Sequence, residues 1–231
     1  MKRTAWITAA LLAALLALPG AALLAKDKIL NFALSGNPDT LDPHKTAGTL
    51  TFQTLKSIYD TLVEADQKEK IVPALAESWT ISPDSLTWTF KLRAGVVFHN
   101  GEPLTAKDVK ATLERVKAKE TASPKASEFA AIAAIAAPDD ATVIITLSKP
   151  FAPFLGVLAS GWAAILPKSL IDSGNDFATK PVGTGPFALK EFTRDSRIVL
   201  VKNTNYWMKD LPKLDQVVMN IIPERAVQVQ G

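Results

Sequence analysis

Two histidines, His44 and His99, are the natural places to look for acid–base or metal chemistry in this 231-residue chain, which has no cysteine. The missing thiols exclude disulfide frameworks, thiolate metal sites and cysteine nucleophiles. His44 follows Asp42-Pro43, where it could reach a cleft; His99 sits in Phe98-His99-Asn100-Gly101, just ahead of a turn dipeptide. A lone histidine is a poor transition-metal site, because such ions take several nitrogen or sulfur donors. Ser35 and Ser160 carry hydroxyls with no sign of a partnered base, so they read as loop hydroxyls. The sequence thus shows no evident catalytic constellation of the kind an enzyme requires, and no cofactor is implied. Binding chemistry is better supplied. Gly183-Thr184-Gly185 could cradle an anion on backbone N–H groups, although it lacks the lysine and spacing of a nucleotide loop. The same glycines could instead simply steer the chain back into a sheet. Trp162, between Gly161 and Ala163, could stack on an apolar ligand and donate its indole N–H, or could be ordinary core.

Composition narrows the setting. Lys2 and Arg3, the apolar run Ala5 to Leu18, the Pro19-Gly20 break and the small residues beyond it form an export signal, cut after Ala22 or Ala25. The run is short for a membrane span, and no cysteine is present for lipid attachment. Residues 1–25 hold two of the 26 basic residues and none of the 23 acidic ones, so the mature chain carries 24 against 23, a balance of +1. No basic cluster marks a nucleic-acid surface. The expected division is a signal peptide over 1–25 and one domain or lobe over 26–231.

The elements that must position these residues are legible in places. Leu86, Trp88, Phe90 and Leu92 alternate with Thr87, Thr89, Lys91 and Arg93, the period of a half-buried strand. Ser82-Pro83-Asp84-Ser85 turns it back on a strand holding Trp79 and Ile81. Asn100-Gly101 marks another tight turn. Thr105 with Asp108 forms a capping-box pattern ahead of a helix with Val109, Leu113 and Val116 on one face. Elsewhere the patterns predict a strand over 28–34, a loop through Ser35–His44, a helix from Thr51 to Val63 and a solvated turn over 64–70. Phe129, Ile132 and Ile135, three residues apart among alanines, read as helix by bare propensity. A helix follows from Pro150, and a strand entered through glycine covers Ser160 to Pro167. Strands at 187–192, 197–202 and 217–221 complete the reading.

Pro73 to Trp79 (PALAESW), Ser82 to Gly101 (SPDSLTWTFKLRAGVVFHNG), Pro103 to Val109 (PLTAKDV), Pro181 to Phe187 (PVGTGPF) and Asn203 to Trp207 (NTNYW) together resemble the extracytoplasmic solute-binding proteins of ABC importers, specifically the peptide- and nickel-binding family 5. The resemblance implies an α/β, type-II periplasmic-binding-protein-like fold, with a mixed sheet and covering helices; it also implies, against the helical spacing there, a strand from about Ile132 that turns at Asp139-Asp140 and returns over Val143–Leu147. It covers residues 28–231 as a first lobe only, the second lobe missing past Arg225–Gly231. It implies a non-enzyme, a monomer exported to a Gram-negative periplasm, that holds a solute between two lobes and delivers it to an inner-membrane ABC permease. Peptide is the family's commonest solute; nickel chelates, haem, glutathione and oligosaccharides stay open, as does a chaperone-like role without transport. The segment Asn37, Asp39, Thr40 and Leu41 would lie near the ligand cleft, Ser160, Gly161 and Trp162 at its edge, and Gly183, Thr184 and Gly185 near the hinge. No metal site is implied.

Overall fold

The structure is a computed structural model that describes residues 27–223. The expected export signal over 1–25 lies outside the described residues. The path runs β1 (Ile29–Leu34), α1 (Thr49–Ile58), β2 (Val63–Ala65), β3 (Ile71–Pro73), β4 (Ala76–Ile81), β5 (Thr87–Leu92) and α2 (Ala106–Lys117). It continues through β6 (Ile132–Asp139), β7 (Thr142–Leu147), α3 (Phe154–Leu158), α4 (Lys168–Asp172), β8 (Phe187–Thr193), β9 (Arg197–Lys202) and β10 (Gln216–Ile221).

Two four-stranded sheets carry two cores. The first sheet has the order β4-β5-β7-β6 and is wholly antiparallel. Its alternation is the one expected: Trp88 pairs with Ile145 and Phe90 with Val143, and all four are buried. Helix α2 covers this sheet with Val109, Leu113 and Val116, each fully buried. Thr105 and Asp108 cap it reciprocally, so the helix starts where its orphan N–H groups find partners. Phe154 of α3 meets Trp88 edge-on at 5.3 Å, a favoured aromatic geometry. The second sheet has the order β1-β10-β9-β8, with β1 parallel to β10 and the other pairs antiparallel. It packs with α1 through Leu34, Leu55, Ile58, Leu200 and Met219.

Three expectations need correction. Helix α1 stops at Ile58 rather than Val63, because the N–H of Gly185 takes the Ile58 carbonyl at 2.9 Å. Residues 64–70 do form a turn, pinned by Asp66, which accepts from the N–H groups of Lys68 and Lys70, but short strands β2 and β3 flank it. Ser160 to Pro167 is not a strand. Gly161–Ala163 winds into one 3₁₀ turn, and Ala163 to Leu166 then run buried between the cores. Side-chain and loop partners serve this stretch in place of a sheet: Ile165 N–H donates to the Asp60 carbonyl and Leu166 N–H to Thr112 Oγ1.

Candidate functional site

A cavity of about 200 Å³ opens beside the C-terminal half of α1. Phe52, Leu55 and Tyr59 form one wall, and Ala159, Gly161 and Ala164 the other. Lys56, Asp60, Thr61 and Glu64 supply its polar groups. Ligand sites combine apolar walls with convergent polar groups, and here the larger share of the exposed lining is polar. The Gly161 turn lies close against the helix: a Cβ on Gly161 would stand 2.4 Å from the Phe52 ring. Trp162, half-buried, meets Phe52 edge-on at 5.9 Å, with Lys125 Nζ 4.4 Å from its ring centre. Its indole N–H is buried and has no hydrogen-bond partner among the described residues.

Asp60 is the chemical centre of this region. Its Oδ2 accepts from Thr184 Oγ1 and from Trp207 Nε1, both at 2.9 Å, while among the described residues Oδ1 has only the Tyr206 hydroxyl at 3.4 Å. Burial pushes the Asp60 carboxyl above its usual range, only partly offset by these donors. Burial also raises Glu64, and the nearby Asp60 charge adds to this. Desolvation and the two carboxylates push the Tyr206 hydroxyl up as well.

Thr184 reaches Asp60 because the flanking glycines let the loop lie on the end of α1. A Cβ on Gly183 would stand 2.2 Å from the Ile58 carbonyl oxygen, and one on Gly185 2.5 Å from the Ile58 carbonyl carbon. Of the two roles left open by sequence, the geometry serves the steering one: Gly185 N–H donates to Ile58 and Gly183 N–H to His99 Nδ1. His99 holds the loop from the other side, donating from Nε2 to the Gly185 carbonyl at 3.0 Å. Asn203 donates to that carbonyl too. His99 is therefore a clamp, its pKa lowered by burial.

The structure brings Gly161 and Trp162 to one flank of α1 and Thr184 to its end, but leaves the 37–41 loop elsewhere. Asn37 bonds Asp195 in the β8–β9 turn. Asp39 accepts from the Thr46 and Thr51 hydroxyls and so ties the loop to the first turn of α1. Thr40 accepts from the Asp42 N–H. Leu41 is fully buried and its carbonyl accepts from the Tyr59 hydroxyl. Asp39 and Thr40 border a separate, more open depression with Thr179, Glu191 and Arg194. Ser160 Oγ donates back to the Gly156 carbonyl. His44 faces no cleft: it is fully buried, accepting from Arg115 at Nδ1 and donating from Nε2 to the Ala164 carbonyl. Among the described residues no group of three His, Cys, Asp or Glu side chains could hold a metal ion, and no helix is long and apolar enough to cross a membrane.

Sequence reading missed Asp60, Glu64 and Phe52. The available signal was an aspartate set among Tyr59, Leu62 and Val63, a costly place for a carboxylate without a purpose.

Residues 70–231 match the model of the bacterial extracellular solute-binding proteins, family 5 Middle. The glutathione-binding protein GsiB of Salmonella typhimurium is 37% identical over 213 residues, covering 90% of this chain and 41% of that protein. The ABC transporter-associated periplasmic binding protein DppA of Helicobacter pylori, solved with the peptide STSA, is 36% identical with a TM-score of 0.80. That match covers 87% of this chain and 44% of DppA. The binding protein AgaA of A.tumefacien R10, solved with agropinic acid, is 35% identical with a TM-score of 0.83 and covers 87% of this chain and 41% of that one. The chain spans about two fifths of the length of these relatives.

Proposed function

The chain belongs to the bacterial extracellular solute-binding proteins of family 5, whose fold is type-II periplasmic-binding-protein-like and whose members bind substrates rather than transform them, and we propose that it is the substrate-binding component of an ABC importer, with a peptide as its solute. The observation that carries this reading is the cavity beside α1, where Phe52 and Leu55 offer apolar surface next to Asp60, Glu64 and Lys56 as charge partners. Peptides need that combination: apolar surface for side chains and fixed charges for their ends. The resemblance to GsiB and to peptide-bound DppA supports the same class.

On this reading residues 1–25 direct export and are removed, residues 26–231 supply one lobe, and the solute is held between this lobe and a second one. Contacts made by both lobes favour the closed form, and an inner-membrane permease recognises that form. The protein works as a periplasmic monomer.

The test is native mass spectrometry of the protein recovered from the periplasm after expression from its own gene, followed by calorimetric titration with di- to tetrapeptides and glutathione. A co-purifying peptide and saturable binding at about micromolar Kd, typical of a mid-strength complex, are the expected outcome. A solute of another class would remove the peptide assignment. Saturation by no small molecule would favour a chaperone-like role.

A further inference from the structure

Asp60 presents an unmet demand. Its Oδ2 has two good donors, whereas among the described residues Oδ1 has only the Tyr206 hydroxyl at 3.4 Å, well beyond the roughly 2.5–2.7 Å of a hydroxyl bound to a carboxylate. The carboxylate is partly buried at the edge of an open cavity. Among the described residues no lysine or arginine forms an ion pair with it, nor with Glu64, which lines the same cavity. A partly desolvated carboxylate without a cation is a standing cost in the empty protein.

Resting on the solute-binding reading above, we propose that this cavity is a subsite for a primary alkylammonium group of the solute, held between Asp60 Oδ1 and the Glu64 carboxylate with its methylenes along Phe52 and Leu55. The geometry selects this cation over the alternatives. A guanidinium prefers two oxygens of one carboxylate in a fork, and Thr184 and Trp207 already hold one of Asp60's pair. A transition metal would look for nitrogen or sulfur donors that the two carboxylates do not offer, and among the described residues no third His, Cys, Asp or Glu joins them. An ammonium is a compact charge with three independently aimed donors on an apolar stem, matching two separate acceptors beside an aromatic and aliphatic wall. Lys56 stands at the exposed rim, where it partly balances Glu64.

The probe is n-butylammonium chloride, with n-butanol and sodium butyrate as isosteric controls, added to the ¹⁵N-labelled chain and followed by amide shifts. Saturable butylammonium shifts are expected over 59–65 and 159–164, with butanol about tenfold weaker, equivalent to about 1.4 kcal/mol, and no response to butyrate. Glu64→Gln, at an exposed position, should weaken butylammonium several-fold without unfolding the chain. Asp60→Asn, which keeps the shape and an acceptor for Thr184 and Trp207, should abolish the effect. Equal response to butanol and butylammonium, or saturation indifferent to both variants, would overturn the subsite. Failure here with a solute still captured in the periplasm removes the subsite alone. Ammonium binding without any captured solute removes the transport reading alone.

Discussion

His44 has no exposed surface, and its partners leave it a single workable tautomer. Arg115 Nη1 donates to its Nδ1 at 2.8 Å, so the ring proton sits on Nε2 and points at the Ala164 carbonyl. Burial, and then the Arg115 charge, lower its pKa from 6.5 to about 4, against the opposing pull of Asp42. Asp42 itself stays below its usual range although burial alone would raise it, because Arg115 binds both its oxygens. The sign follows from linkage: the unfolded chain binds a proton near pH 6.5 that the folded chain refuses until about pH 4. Stability is therefore full above pH 6.5 and falls as pH drops through this window, by about 3 kcal/mol for this group. His99, also lowered by burial, adds in the same direction, while the raised Asp60 contributes stability that fades as pH rises. Urea denaturation at pH 7 and at pH 4.5 should show the loss, and His44→Gln should flatten most of it. An unchanged slope in that variant would mean that the acid sensitivity lies elsewhere.

At the scale of elements, the 183–185 loop works only because it touches the end of α1 without side chains in between. Gly185→Ala would drive a Cβ to 2.5 Å from the Ile58 carbonyl carbon, and backbone cannot rotate aside. The expected loss is about 1–3 kcal/mol, with Thr184 drawn away from Asp60. Gly156→Ala in α3 meets nothing within 4 Å and should gain up to about 1 kcal/mol from helix propensity. Equal midpoints for the two variants in a denaturation series would show that the loop gives way. The contrast also explains what could be read in advance. The 73–116 block was legible because its determinants are local: the Ser82–Ser85 turn, the period-2 strand and the Thr105–Asp108 cap each complete themselves within a few residues. The end of α1 was not, since Gly185, far along the chain, decides it. Ser160 to Pro167 misled for the same reason. Its apolar run signals burial correctly, but burial between two cores carries no period that separates it from a strand. Of the site, the glycine loop and Trp162 were visible as motifs, whereas Asp60 became meaningful only once Thr184 and Trp207 converged on it.

At the scale of the molecule, the two sheets do not share one core, and polar contacts join them. The loop carrying Asp42 and His44 packs with the second-sheet core through Leu41, and it is bound by Arg115 from α2, which packs on the first sheet. Asp60 and its donors, His99 on Gly185, Thr112 with Leu166, and Arg93 stacked 4.7 Å over Trp207 lie along the same seam. Arg115→Met keeps the stem against Phe177 but strands the Asp42 carboxylate, 2% exposed, without its cation. Breaking a buried pair from one side typically costs about 3–5 kcal/mol. The loss should not spread evenly. The first sheet retains its own apolar core, from Phe90 to Leu113, whereas the second sheet depends on α1 and the 41–46 loop to cover it. Native-state hydrogen exchange should therefore show amides of β9 and β10 losing protection before those of β5 and β7. If all four strands lose the same amount, the two cores unfold as one unit. The seam is then continuous packing, and the chain offers no internal boundary along which one sheet could shift against the other around a bound solute.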